Sequence, residues 1–233
     1  MTTHAFFDPF GAFAGDEPRA PTGERAATHP RALNYRTMLG EEWWLLPAAT
    51  RERFEHHEAL YTGTMTLAAT RAGRWVERLC RLVGSPLPPP HATPVAAAVR
   101  VEPDRATGGS RWVRRYTFPR RTVEIASVKA VDADGALVER LAYGLRMRLR
   151  VGVRDGALCF DSVGYYVECP GLAWRGRRYG AWRLPLPSWF LPGRTCVAHH
   201  DLGDGHFRFT MTIHHAVLGE LFNHDGVFRS PGD

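Results

Sequence analysis

Lysine is nearly missing from this chain: Lys129 stands alone against 29 arginines in 233 residues. So one-sided a ratio, beside many alanines and glycines, points to a GC-rich coding bias. The formal charge of +6 therefore argues little for a nucleic-acid partner, and the arginines are scattered rather than massed in one block. No nucleic-acid contact is expected. Cysteine is scarce as well. Cys80, Cys159, Cys169 and Cys196 form no C-x-x-C pair and have no zinc spacing, which excludes a disulfide framework and a zinc knuckle. Reduced thiols in a cytoplasmic protein are the expectation. No apolar run approaches the ~20 residues of a membrane-spanning helix. The first 30 residues lack the charged start and continuous apolar stretch of a secretory signal. No G-x-G-x-x-G follows a strand-like run, so no nucleotide cofactor is expected, and no other cofactor is indicated. Neither H-E-x-x-H nor G-x-S-x-G occurs, Ser162 being preceded by Phe160-Asp161.

The chain is rich in alternation. From Leu141 to Val153 every odd position is apolar (Leu141, Tyr143, Leu145, Met147, Leu149, Val151, Val153), and the even positions are Ala, Gly or Arg. A period of two over this length is a half-buried antiparallel strand. Asp155-Gly156 then supplies the favoured two-residue hairpin turn. With that turn, Val153 faces Leu158, Val151 faces Phe160, Met147 faces Gly164 and Leu145 faces Tyr166. Arg150 meets Asp161 on the other face, an opposite-charge pair that supports register. Ser162 and Gly164 opposite bulky Leu149 and Met147 suggest sharp coiling, or a gap that a ligand fills.

Helix signals lie early. Asn34 can cap a turn carrying Tyr35, Met38 and Leu39, and Pro47 suits the start of a helix from Ala48 to about Glu58. Leu60–Thr70 reads as a strand. Ala72–Val83 reads as an amphipathic helix stopped by Gly84 and Pro86. Beyond His91 the pattern is strand after strand: 95–101, 111–118, 122–131, 136–143, the hairpin, 195–202 and 206–215. The stretch 170–192 is irregular, aromatic and proline-rich. The fold class expected is α+β and mainly antiparallel β: a strongly coiled sheet or barrel of about seven to nine strands, with two or three helices in the N-terminal half. Residues 1–30 read as a loose tail bearing Phe6, Phe7, Phe10 and Phe13, and residues 31–233 as one β-rich domain.

Leu39-Gly40 with Trp43 and Leu46-Pro47, the 53–57 stretch, Leu82-Val83-Gly84 and Trp112-x-Arg114-x-Tyr116 occur in that order. They are followed by Leu137-Val138-Glu139-Arg140, the 144–153 strand, Trp182-Arg183-Leu184-Pro185-Leu186-Pro187 and Asp204-Gly205-His206-Phe207-Arg208-Phe209. Together, over about residues 33–228, they resemble a bacterial domain of unknown function often fused to the C-terminus of saccharopine-dehydrogenase-like proteins. That family has no established activity, so the resemblance implies no catalytic residues. It does suggest a separate oxidoreductase as a partner.

The chemistry-bearing residues point weakly to catalysis. The late histidines (His199-His200, His206, His214-His215, His224) fall on strands, where neighbours face opposite ways, so no metal site is expected. Glu139 and Glu168 could act as acid–base groups only if burial raised their pKa. Arg71, Arg74, Arg78 and Arg81 form a basic stripe around a helix whose apolar side is expected to carry Trp75, Val76, Leu79 and Leu82. With Trp75, these arginines are candidates for peripheral membrane contact. The leading expectation is a cytoplasmic, non-catalytic binding module that holds an apolar or lipid-like molecule in the curved sheet. Tyr143, Leu145, Met147, Gly164, Tyr166, Phe207, Phe209 and Met211 would line the site, and Glu139 or an arginine would fix a polar end. Alternatives are a small cyclase or isomerase using a cavity carboxylate, and a domain that docks an NAD(P)-dependent oxidoreductase through the 170–192 loop.

Overall fold

A computed structural model describes residues 31–56, 58–82, 87–169, 173–174, 177–178, 182–187 and 191–229. The expected N-terminal tail and much of the aromatic 170–192 stretch, including Trp189 and Phe190, lie outside the described residues.

Helix α1 (Tyr35–Leu39) begins where Asn34 Oδ1 accepts the Thr37 amide at 3.0 Å. This satisfies one of the free amides of a helix start. A 3-10 segment (Gly40–Leu45) leads through Pro47 into α2 (Ala48–Glu55). Then follow β1 (Ala59–Ala69), α3 (Arg71–Leu82), β2 (His91–Asp104), β3 (Gly109–Phe118), β4 (Arg121–Val131), β5 (Leu137–Arg140), β6 (Leu145–Arg154) and β7 (Ala157–Cys169). Two short pieces, β8 (Ala173–Trp174) and β9 (Arg177–Arg178), pair only with each other. β10 (Trp182–Pro185), β11 (Arg194–Gly203), β12 (His206–His215) and β13 (Gly219–Arg229) complete the chain.

The pairings run β7-β11-β12-β13-β1-β2-β3-β4-β5-β6 and return to β7, which closes a ten-stranded antiparallel barrel; β10 adds to the outside edge of β7. The strand count exceeds the expected range, chiefly because β13 is cryptic in the sequence. Its inward positions read Phe222, His224, Gly226 and Phe228, so a histidine and a glycine interrupt the apolar alternation. Yet β13 is indispensable, since it joins β12 to β1. A Cβ on Gly63 of β1 would stand 2.0 Å from the Val227 carbonyl oxygen, and one on Gly226 would stand 2.6 Å from that of Thr64. Glycine is what lets these two strands run so close.

The β6–β7 hairpin turns at Asp155 and Gly156 with φ of 49° and 73°, and pairs Val153 with Leu158, Val151 with Phe160 and Leu149 with Ser162 as expected. Past Ser162 the register shifts. Val163 is the extra residue of a β-bulge, so Met147 faces Tyr165 and Leu145 faces Val167 instead of Gly164 and Tyr166. Because side chains alternate, one inserted residue exchanges the inner and outer faces. Arg150 does lie opposite Asp161, but the ion pair is made by Arg154, at 2.7 Å.

The two ends of the barrel are covered differently. α1, the 3-10 segment and α2 close one end, where Leu33, Tyr35, Trp43 and Phe54 are buried in the main core. α3 covers the other end, against β13 and β1. Its orientation differs from the sequence expectation: Gly73, Glu77 and Cys80 are buried, while Trp75 and Leu79 are 67% and 61% exposed. The reason is close approach. A Cβ on Gly73 would fall 2.2 Å from the Leu221 carbonyl oxygen, so the Gly73 face of α3 lies against the barrel, with Ala72 and Val76 packed on Ile213, Leu221 and Phe222. Glu77, turned inward, is ion-paired with Arg81. Gly73→Ala should therefore destabilise the protein by about 1–3 kcal/mol through overpacking. Urea unfolding measures this, and an unchanged midpoint would show that α3 does not depend on that contact.

Candidate functional site in the barrel interior

The inward residues enclose a cavity of about 140 Å³. Its wall is mostly apolar: Tyr61 and Met65 of β1, Val99 of β2, Trp112 and Tyr116 of β3, Ile125 of β4, Met147 and Leu149 of β6, Phe160 and Tyr165 of β7, and Phe207, Phe209, Met211 and Ile213 of β12. Cys80 of α3 with Leu87 and Pro88 line it at one end, and Arg53 of α2 at the other. Arg53 is held there by Asp201 at 3.7 Å and by the face of Phe207, 4.0 Å from its guanidinium carbon.

One patch of this wall is charged. Strands β3, β4 and β5 are neighbours, and their inward positions bring Arg114, Ser127, Lys129 and Glu139 together. Ser127 donates to Glu139 Oε1 at 2.5 Å, and Arg114 Nη1 donates to Ser127 at 3.0 Å. Arg114 Nη2 lies 3.4 Å from Glu139 Oε1, and Lys129 Nζ lies 3.2 Å from Oε2. Burial alone would raise the Glu139 pKa. The two cations and the Ser127 hydrogen bond outweigh it and hold the carboxyl near about 2. The Lys129 pKa is also lowered, which favours its neutral form: burial outweighs the pull of Glu139. Its ammonium lies 5.0 Å from the Trp112 ring centre and 5.7 Å from that of Phe160. Such contacts partly replace the water that a buried cation loses. Within the patch two cations face a single carboxylate.

Two histidines also face the cavity. His199 of β11 packs edge-on to Phe54, Phe160 and Phe209. Burial, reinforced by nearby Arg53 and Lys129, keeps its pKa well below 6.5. His224 is lowered by burial from 6.5 to about 4. Both are therefore neutral in the fold near neutrality. The remaining histidines do not build a metal site: among the described residues no group of three or more His, Cys, Asp or Glu side chains could hold an ion.

Of the residues expected at the site, Met147, Phe207, Phe209, Met211 and Glu139 line the cavity, and Leu145 is buried in the adjoining core. Tyr143, Gly164 and Tyr166 do not face it. Tyr143 breaks the strand with φ of 52° in a 3-10 turn and is 67% exposed. The bulge turns Gly164 and Tyr166 away from the cavity, and the Tyr166 hydroxyl donates to the buried Asp132 carboxylate at 3.4 Å outside the barrel wall. The supposed gap at Ser162 is used by the backbone, since its Oγ accepts the Thr195 amide at 2.8 Å. Glu168 lies outside the barrel, 3.0 Å from Arg146. Glu139 carries a depressed pKa, the reverse of what a carboxyl general acid needs. Arg71, Arg74 and Arg78 are exposed on α3 as Trp75 is, with the Arg78 guanidinium 4.9 Å from the indole centre, while Arg81 is ion-paired with Glu77.

Sequence reasoning missed Arg53, Arg114, Ser127, Lys129, His199 and His224. A signal existed for some of them. Arg114 shares parity with Trp112, Tyr116 and Phe118, and Lys129 with Ile125, so alternation alone points them inward.

These shifts set an acid profile. Histidines kept neutral by burial stabilise the fold fully above 6.5, and that contribution is lost as pH falls from 6.5 towards about 4. The Glu139 contribution is present above 4.5 and is lost as pH falls towards about 2. Melting temperatures followed from neutral to acid pH should show His224→Leu losing part of the first decline only. Near pH 7, Glu139→Gln should cost about 3–5 kcal/mol, because it strands Lys129 and Arg114 without a counter-charge. A loss below ~1 kcal/mol in urea unfolding would mean that water already compensates them.

No curated protein and no solved structure matches this chain. Residues 46–228 match the family described as Domain of unknown function (DUF4166), and over that span, which is most of its length, the chain belongs to that family.

Proposed function

We propose that this protein is a non-catalytic binding module whose barrel interior holds an apolar, lipid-like small molecule with a single polar end. The observation that carries the reading is the composition of the cavity wall. It is a mostly apolar and aromatic surface with Arg53 at one end, two neutral histidines, and one ionic patch in which Arg114 and Lys129 outnumber Glu139. Ligand sites have this make-up, a mostly apolar lining with a few convergent polar groups that fix orientation. The size narrows the occupant. A cavity of about 140 Å³ compares with the ~150 Å³ that admits one benzene ring, and is below the ~300 Å³ of sites that enclose drug-sized ligands. A single ring or a short chain fits inside, and a longer tail would leave past Cys80, Leu87 and Pro88. The polar end is an oxygen acceptor facing Arg114 and Lys129.

The outer face of α3 favours delivery at an anionic membrane surface. Trp75 and Leu79 are exposed beside Arg71, Arg74 and Arg78, the arrangement of a helix that rests on lipid headgroups. In keeping with the resemblance noted for the sequence, a separate oxidoreductase is the candidate partner in handling the molecule. The depressed Glu139 pKa speaks against the cyclase or isomerase alternative.

Native mass spectrometry of freshly purified protein, with organic extraction, should find a reproducible apolar passenger. Val99→Trp, which fills the cavity from β2, should abolish its retention while the melting temperature holds. Retention by a folded Val99→Trp variant would place the passenger elsewhere. Trp75→Ser should weaken co-sedimentation with phosphatidylserine vesicles and leave passenger retention intact. Equal sedimentation of both proteins would remove the membrane from the reading.

A further inference from the structure

We propose that Lys129 is a nucleophile that captures the carbonyl carbon of an apolar aldehyde or ketone as a Schiff base inside the barrel. The inference rests on the reading that the interior holds an apolar molecule, and it names that molecule's polar end.

Composition gives the first reason. Of the 30 basic residues 29 are arginine, and the one lysine lies in the cavity wall. If a positive charge for an oxygen acceptor were all that was required, arginine would serve better, as Arg114 beside it already does. What lysine has and arginine lacks is a primary amine that can lose its proton and attack carbon.

Position gives the second reason. Lys129 is 7% exposed and lines the cavity, so a carbonyl compound in the apolar space meets the amine away from bulk water. The rings of Trp112 and Phe160 flank it and would pack against a flat or conjugated occupant. Burial also lowers the pKa of the ammonium, which makes the free amine easier to reach near neutrality. Glu139 Oε2, 3.2 Å from Nζ, stays ionised and is placed to stabilise a positive charge on that nitrogen.

The step balances with no added reagent. One ammonium proton passes to a water molecule, the freed lone pair forms the N–C bond, and the carbonyl π electrons move to oxygen. Oxygen receives that proton to give the carbinolamine. Nitrogen then gives up a second proton, carried by water to the hydroxyl, the C–O bond breaks, and water leaves. An aldehyde and an ammonium have become an iminium and water. The single positive charge stays on nitrogen, and Glu139 ends ionised opposite it. The counter-ion that stabilises the resting lysine therefore suits the product equally well.

The uniqueness of the lysine makes the test direct. The full chain is incubated with benzaldehyde, a single ring matched to the cavity, then reduced with cyanoborohydride and mapped by peptide mass spectrometry. One reduced benzyl adduct on the peptide containing Lys129 is expected, and its loss in folded Lys129→Arg and Lys129→Met. Binding of benzyl alcohol, followed by ligand-detected NMR, reads cavity occupancy without the covalent step. Benzyl alcohol bound with no adduct at Lys129, or with an adduct only at the terminal amine, overturns the proposal and leaves the binding module standing. Neither binding nor adduct overturns both.

Discussion

Closure of the antiparallel sheet is the constraint from which the rest follows. A strand that pairs on both sides has no free edge, and in a ring of ten strands every second residue must point into a confined space. The interior then has to be filled by side chains or left to hold something else. Here the two ends are covered, by Leu33, Tyr35, Trp43 and Phe54 at one and by the Gly73 face of α3 at the other. The middle keeps a cavity. Closure depends in turn on the β1–β13 contact, where Gly63 and Gly226 let two backbones pass at distances that no Cβ would allow.

Inside such a ring a charge has little water to turn to, so Arg114, Ser127, Lys129 and Glu139 must satisfy one another. Taking ions out of water costs several kcal/mol each, and their mutual attraction only roughly offsets it. The cluster is therefore not explained as a source of stability. Apolar residues would fill the same volume without that penalty. Its presence in a mostly apolar wall is what separates this interior from an ordinary core and directs attention to a bound molecule.

Much of the fold was legible in the residues, because alternation, caps and turns are local. Asn34 capped its helix, Asp155-Gly156 turned the hairpin, and the long strand before it paired in the expected register as far as Ser162. Local pattern failed in three places. Val163 carries no mark of a bulge, yet it exchanged the faces of Gly164, Tyr165 and Tyr166. On α3, Val76 packs inward as expected, but the approach of Gly73 to Leu221 turns Trp75 and Leu79 outward. In β13, His224 and Gly226 hid an inward face that only the neighbouring strands make necessary.

The site divides along the same line. Met147, Phe207, Phe209, Met211 and Glu139 could be found from parity, and Arg114 and Lys129 could have been found the same way. That those last two share one carboxylate could not, because β3, β4 and β5 bring them together through pairings that no single strand encodes. The sequence by itself determined the antiparallel class, the hairpin turn and the excess of arginine over lysine, since these rest on composition and on periods of two to four residues. Only the tertiary structure decided that the sheet closes, that α3 turns Trp75 outward, and that the lone lysine faces the cavity beside Glu139. Each of those depends on register and on how closely separate backbones approach, which are properties of distant segments in contact.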